Sequence, residues 1–152
     1  MREIFNRIED EQEVSIEVCL DAKENQETNP WIFSVFIKYD AYNEAEDGLD
    51  EFFETKEALI ISLEHDNRAV YVGNRLVGDW SEIYFYAEDS KQLDAIAAKI
   101  LKPTKYIYES NVAKDKDWEF FDHNIFPTDL ELCLMQSKHI VFLMEEEGDN
   151  KS

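Results

Sequence analysis

The residues whose chemistry can be recognised from type and spacing are three histidines, two cysteines and 35 carboxylates. His65, His123 and His139 lie far apart in the chain, and none has a second His or Cys at the spacing of a metal site. His65 lies between Glu64 and Asp66, but a carboxylate beside an imidazole arises easily by chance in a chain this acidic. We therefore expect no metal site, no cofactor and no catalytic histidine.

Motifs of nucleophilic and nucleotide chemistry are absent from the sequence, which has no Gly-x-Ser-x-Gly elbow, Walker loop, dinucleotide fingerprint or Cys-x-x-Cys pair. An EF-hand alignment that starts at Asn43 places Asp47, Gly48 and Glu54 well, but Ala45 falls where a ligand is needed. We therefore expect no calcium site and no enzyme. The alternative is an enzyme with a carboxylate site hidden among the acids, which would need a concave pocket with carboxylates of perturbed pKa.

The strongest signal is an acidic run over residues 40–54, which contains no Lys or Arg. Its candidate binding residues are Asp40, Tyr42, Glu44, Glu46, Asp47, Asp50, Glu51 and Glu54, with Phe52 and Phe53 interleaved. Such runs usually face water. The alternative is an anionic docking surface for a basic protein, because a negative field speeds encounter about 10- to 1000-fold at low salt. Tyr42 could supply a desolvated anchor within it.

Composition points to one acidic domain over residues 1–152, with 1–13 and 149–152 peripheral. The net charge is −20 and the isoelectric point is about 4.3, which disfavours nucleic acid and anionic membranes as direct partners. Cys19 and Cys133 cannot form a disulfide framework, and no signal peptide or bilayer-spanning run is visible. These features predict a cytoplasmic protein with reduced thiols.

Hydrophobic periodicity supplies the elements that must position these residues. The predicted strands are 14–20, 31–39, 69–73, 80–87 and 105–112, and the predicted helices are 50–65, 91–101 and 127 to about 147. We expect the first two strands to form a hairpin, and 69–73 to form another with 80–87. The order ββαββαβα predicts an α+β domain with a mainly antiparallel sheet of about five strands. Residues 31–112 follow the order of a ferredoxin-like split unit, which leaves the first strand without an obvious place.

The last predicted helix is apolar nearly all round. One stripe contains Cys133, which we interpret as a buried small hydrophobe. The second stripe is Leu132, Met135, His139, Phe142 and Leu143. Such a helix is either covered on both sides or leaves one face for another chain. The second stripe is therefore a candidate interface for a homodimer or another partner.

Several stretches resemble one known family. They are 14–18, 30–31, 47–49, Tyr71-Val72-Gly73, the aromatic strand 83–86, Asp117-x-x-Phe120-Phe121 with Phe126-Pro127, and 147–149. In order and spacing they resemble the bacterial family called domain of unknown function 695. One departure concerns an arginine that the family pattern has directly after this glycine: here Asn74 separates Gly73 from Arg75. The resemblance implies a non-catalytic α+β module with no catalytic residues to carry over. In some members a second domain follows, similar to the acidic regulator that inhibits ribonuclease E.

Charge and resemblance together favour a non-enzymatic protein that neutralises a basic partner through residues 40–54. Its sharpest form is a nuclease inhibitor, such as the immunity protein of a toxin, that occludes a nucleic-acid-binding cleft. The alternative is a structural or regulatory module that self-associates through its last helix.

Overall fold

The computed structural model describes residues 2–39 and 46–137, with side chains described from residue 48 onward in the second range. The strands are β1 (Arg2–Glu9), β2 (Gln12–Cys19), β3 (Trp31–Lys38), β4 (Ala69–Val77), β5 (Trp80–Ala87) and β6 (Ile107–Lys114). The helices are α1 (Glu46–Glu64), α2 (Leu93–Leu101) and α3, which is described over 129–137. Short helical turns span Ala22–Thr28, His65–Asn67 and Phe121–Ile125. None of the described helices has the length and apolarity to cross a bilayer.

The six strands form one antiparallel sheet in the order β1-β2-β4-β5-β3-β6. Helix α1 joins β3 to β4, but β5 lies between these two strands. In the same way α2 joins β5 to β6, and β3 lies between them. This is the split arrangement of a ferredoxin-like unit. The predicted α+β class is therefore confirmed, and residues 31–114 form the ferredoxin-like part of the sheet.

The predicted hairpin between the first two predicted strands is wrong. β2 pairs with β4, where Val18 is opposite Gly73, whereas β3 pairs with β5 and β6 across the sheet. The chain crosses between them through the turn Ala22–Thr28. The strand that the split-unit order left without an obvious place is β2, and it joins the free edge of β4, at the opposite side of the split unit from β6.

The sequence pattern also missed β1, which was assigned to the polar periphery. It pairs with β2 over its whole length, and the turn between them places Asp10 and Glu11 at positive φ (51° and 64°). Two such residues make the tight turn that hairpins favour. Only Phe5 is buried, because the charged residues Glu3, Arg7 and Glu9 take the other inward positions of this short strand.

Several element boundaries move relative to the sequence pattern. Helix α1 begins at Glu46, four residues before the predicted start, and α2 begins at Leu93 because Gln92 adopts a left-handed conformation (φ 66°). β4 continues to Val77, four residues beyond the predicted end at Gly73. A bulge between Tyr71 and Gly73 absorbs the change of register.

One face of the sheet packs against α1 and α2. The sheet contributes inward residues of β3, β4 and β5, and the helices contribute one apolar stripe each. Fully buried members are Phe33, Val35, Ile37, Phe85, Phe52, Leu59, Leu63, Leu93, Ala97 and Leu101. The apolar stripe of α1 fixes the rotation of this helix about its own axis, and therefore which α1 residues face solvent.

The other face of the sheet is covered by the segment that follows β6. Trp118 is fully buried, stacks on Tyr86 at 4.0 Å between ring centroids, and donates from its indole N–H to the Asn29 carbonyl at 2.8 Å. The Asp115 carboxylate accepts the Tyr86 hydroxyl at 2.7 Å and the backbone N–H of Phe120 at 3.1 Å. Because the Trp118 indole N–H and the Tyr86 hydroxyl both donate hydrogen bonds, burying these two aromatic side chains leaves neither polar group without a partner.

Gly73 is required by the close approach of this covering segment. A Cβ at this position would lie 2.6 Å from Ile125 Cγ2 and 2.7 Å from the Glu17 carbonyl oxygen on β2. Both separations are far below van der Waals contact, and the backbone oxygen has no room to move within the β2–β4 ladder. The absence of a side chain at Gly73 therefore allows the backbone of β4, the backbone of β2 and the Ile125 side chain to pack together.

We expect Gly73→Ala to lower the free energy of unfolding by about 1–3 kcal/mol, the usual cost of overpacking. Urea denaturation monitored by tryptophan fluorescence measures it. Gly78→Ala is the control, since Gly78 has φ 58° but its Cβ would meet only a flexible glutamine end at 3.0 Å; the expected loss there is about 1 kcal/mol. Equal losses in the two variants would contradict the close-approach explanation.

Candidate functional site

The predicted acidic run forms part of an exposed helix surface. Asp50, Glu51 and Glu54 are all exposed, on the first turns of the described part of α1. Phe53 lies among them with half of its surface exposed, at 50%. Glu57, one turn further along, has 46% of its side chain exposed. We call these five residues the α1 acidic surface.

Part of the predicted run cannot be placed on this surface. Asp40, Tyr42 and Glu44 lie outside the described residues, so the proposed tyrosine anchor has no structural assignment. Glu46 and Asp47 belong to the first turn of α1, but their side chains are also outside the description.

Phe52 is not part of the binding surface, although the sequence interleaves it with the acids. Its side chain is 1% exposed, stacks on Tyr39 at 4.7 Å and meets Tyr106 edge to face at 5.7 Å between ring centroids. Phe53 lies about 100° further round the helix, outside the buried stripe, and its side chain is half exposed. The aromatic residue available to a partner is therefore Phe53.

Few cations lie near the α1 acidic surface in the described part of the chain. Lys105 Nζ is 4.0 Å from Glu51, in a pair that is more than half exposed. Arg2 donates to Glu57 at 2.7 Å. Lys56, although on the same helix, is 5% exposed and points inward to Glu17. The three carboxylates Asp50, Glu51 and Glu54 thus present a negative field that one exposed lysine neutralises only in part.

Beneath α1, the Glu17 carboxylate contacts side chains from β4, α1 and β1. It accepts the Tyr71 hydroxyl at 2.5 Å and Lys56 Nζ at 3.2 Å, and Arg2 lies 3.8 Å away. Burial alone would raise the pKa of Glu17, but the Tyr71 hydrogen bond and the charge of Lys56 outweigh it and lower that pKa. Burial and the Glu17 contact raise the pKa of Tyr71, so the phenol stays protonated. Burial also raises the pKa of the neighbouring Cys19 thiol to about 11, which keeps it unreactive.

On the opposite face of the sheet, Arg75 is 7% exposed and joins four elements. Its guanidinium donates to Glu9 of β1 at 2.6 and 2.9 Å, to Glu82 of β5 at 3.0 Å, and to the Asn124 carbonyl at 2.7 Å. Glu82 also accepts the Tyr84 hydroxyl at 2.7 Å. The hydrogen bond from Arg75 lowers the pKa of Glu9. This residue is the displaced arginine of the family pattern, and its contacts are structural.

A second arginine, Arg7, ties β1 to α3. It donates to both carboxylate oxygens of Glu131, at 2.6 and 3.0 Å, and this contact lowers the pKa of Glu131. Among the described carboxylates with a shifted pKa, Glu9, Glu17 and Glu131 are all shifted downward. A general acid needs the opposite shift, so these three acids act as partners of cations in the fold.

The described part of the chain contains no group of three or more His, Cys, Asp or Glu side chains placed to hold a metal ion. His65 is exposed, 3.4 Å from Asp66, and His123 is exposed in the segment after β6. His139 lies outside the described residues.

The predicted second interface lies only partly within the description. Leu132 and Met135 are half-buried, and Met135 packs against the core below α3. His139, Phe142 and Leu143 lie outside the described residues. Cys133, interpreted as buried, is exposed. It belongs to the outward side of α3 with Leu130 and Leu134, because Met135 occupies the inward side.

The chain matches a family described as Family of unknown function (DUF695) over residues 4–124. It belongs to that family. No curated protein and no solved structure matches the chain. The matched range begins at Ile4 within β1 and ends at Asn124, just before the Ile125 side chain that packs on Gly73, so it includes β2–β6, most of β1 and the Arg75 contacts.

Replacing Arg75 by Met should lower the free energy of unfolding by about 3–5 kcal/mol, because it leaves Glu9 and Glu82 without their buried cation. Urea denaturation at pH 7 measures the loss. Lys23→Met is the matched control, since it breaks an ion pair of 2.7 Å with Asp122 that is exposed. We expect that control to cost below about 1 kcal/mol. A similar small loss in Arg75→Met would contradict its structural role.

The lowered pKa of Glu131 gives a pH dependence of known sign. A carboxylate whose pKa is lower in the folded state stabilises the fold above its unfolded pKa, about 4.3, and loses this as the pH falls through the folded value. We expect Glu131→Gln to be less stable than the natural sequence at pH 7, and the difference to shrink below about pH 4.3. Denaturation curves between pH 3 and 7 test this, with Glu24→Gln as an exposed control. A constant difference would show that Arg7 does not stabilise the Glu131 anion.

Proposed function

We propose that this protein is a non-enzymatic binding module that docks a basic protein through the α1 acidic surface. The observation that carries the proposal is the exposed aromatic ring of Phe53 among carboxylates on one rigid helix. Asp50 lies one turn before it and Glu57 one turn after it, so a partner that covers the ring must also approach both acids.

The two kinds of residue contribute differently to such an interface. The carboxylates steer a positive partner during encounter and fix its orientation. An aromatic side chain supplies the apolar area that, once desolvated, dominates binding free energy. The buried contacts of Phe52 with Tyr39 hold the helix in place, so the surface is presented without a folding cost on binding.

The most specific form of this proposal is a cytoplasmic inhibitor of a nuclease, such as a toxin-immunity protein. A nuclease cleft is lined with Lys and Arg that contact phosphates, and carboxylates at helical spacing can take the place of those phosphates. Steric occlusion by α1 and its exposed ring would then exclude the nucleic acid. The chain itself, with a net charge of −20, is repelled by nucleic acid.

Charge reversal of Asp50, Glu51 and Glu54 to Lys should weaken binding at low salt by about a hundredfold or more and flatten its salt dependence. A partner is captured from lysate at low salt, identified by mass spectrometry, purified and measured by titration calorimetry at about 0.05 and 0.5 M salt. The matched control reverses the exposed acids Glu24, Glu27 and Glu109, which changes the net charge equally elsewhere on the surface. Equal loss in both triple variants would show only a general charge effect and overturn the site.

Phe53→Ala separates the apolar anchor from the charges. We expect about a tenfold or greater loss of affinity with an unchanged salt dependence, because truncating an interface aromatic residue removes contact area but no charge. Unfolding measurements should show nearly unchanged stability, since the ring is half exposed. Unchanged affinity would remove Phe53 from the interface. Nuclease activity of the partner with and without this protein tests the inhibitor form of the proposal.

A further inference from the structure

The outer edge of β1 carries an unusual share of exposed apolar surface. Eight large hydrophobic side chains are exposed among the described residues, and four of them lie on β1 or on the adjacent α3. They are Ile4 (64% exposed), Ile8 (68%), Leu130 (69%) and Leu134 (54%). An eight-residue edge strand with exposed isoleucines is a template for another strand unless something blocks it.

The peptide groups of this edge are available for pairing. Among the described strands β1 pairs with β2 alone, and Glu9 opposite Gln12 closes the tight turn as a hydrogen-bonded pair. Because hydrogen-bonded and non-hydrogen-bonded pairs alternate, the N–H and C=O groups of Ile4, Asn6 and Ile8 are directed away from β2. No described strand receives them.

A groove runs along this edge under α3. It has a volume of about 460 Å³, and its lining includes Ile4, Phe5, Asn6, Leu134 and Met135 together with the carboxylates of Glu3 and Glu131. The contact between Arg7 and Glu131 holds α3 beside the strand. A strand added to β1 would therefore gain backbone hydrogen bonds and apolar cover from α3 at once.

We propose that the occupant is the β1 strand of a second copy, paired antiparallel about a two-fold axis. With Phe5 opposite Phe5 of the second copy, Glu3 is opposite Arg7 of the second copy, and the reverse pair repeats it. Ile4 and Ile8 then lie diagonal to Ile4 of the second copy, about 7–8 Å away. The register that puts Asn6 opposite itself would place Glu3 opposite Glu9, which like charges disfavour.

Charge distinguishes a second copy from the basic protein proposed for α1. β1 contains two of the four arginines of the chain, and with its two glutamates the strand has no net formal charge. A strand without net charge offers less to a basic partner than the α1 acidic surface does, and it lets two strongly acidic chains approach each other at a neutral edge. The interface is independent of the α1 acidic surface and can hold whether or not that proposal does.

The test is sedimentation equilibrium of the full chain at about 0.05 and 0.5 M salt. We expect a dimer whose dissociation constant falls as salt rises, because screening weakens the repulsion between two chains of charge −20. The proposed basic partner should bind with the opposite salt dependence, so the two proposals fail separately. A monomer at about 0.1 mM at both salt concentrations would overturn the dimer.

Two matched pairs of variants locate the interface on β1. Asn6→Pro removes an outward N–H that the β1–β2 pairing does not use, and Asn6→Ala removes the side chain but keeps that N–H. We expect the proline variant to be monomeric and the alanine variant to dimerise. Ile8→Lys should raise the dissociation constant about tenfold or more, whereas Ile61→Lys, equally exposed at 68% but on α1, should leave it unchanged.

Circular dichroism first verifies that each variant is folded, and if the proline variant is not, the isoleucine pair decides. Loss of the dimer in Ile61→Lys but not in Ile8→Lys would place the interface on the helices and overturn the proposal. Dimers that persist in both Asn6→Pro and Ile8→Lys would overturn it as well.

Discussion

The buried guanidinium of Arg75 is the interaction on which the arrangement of the layers depends. A cation at 7% exposure is tolerable only when carboxylates and carbonyls surround it. Its partners come from β1, β5 and the segment after β6. The same hydrogen bonds that compensate the charge therefore fix the edge strand and the covering segment relative to the centre of the sheet. Arg7 adds α3 to this arrangement through Glu131.

Both proposed surfaces follow from how the two faces of the sheet are covered. On one face, the apolar stripe of α1 packs on β3 and β5 and leaves the opposite side of the helix to solvent, where the acids and Phe53 lie. On the other face, the segment after β6 reaches across to β1, so that α3 ends beside an unpaired strand edge. The first surface is strongly negative and the second is locally neutral. They therefore favour different partners and respond to salt in opposite directions.

Pattern reasoning succeeded where one periodicity dominates a segment. The strands at β2, β3 and β5 and the helices α1 and α2 all have clear apolar stripes, and the order of elements in residues 31–112 predicted the split unit. It failed for β1, because two of its inward positions are Arg7 and Glu9, whose charges are compensated by partners far away in sequence. It also failed for the first hairpin. Strands that follow each other in sequence usually pair, but here β2 lies beside β4 and β3 lies between β5 and β6.

The sequence by itself determined the class of the fold, the acidic character, the family, and the presence of an acidic run with aromatic residues in it. Only the tertiary structure decided that Phe52 is buried and Phe53 is exposed, that Lys56 points to Glu17 instead of neutralising the surface, and that β1 is an edge. The physical reason is that composition and periodicity are local properties. Exposure, the partner of a charge and the free edge of a sheet depend on residues that are distant in the chain and meet only in the folded protein.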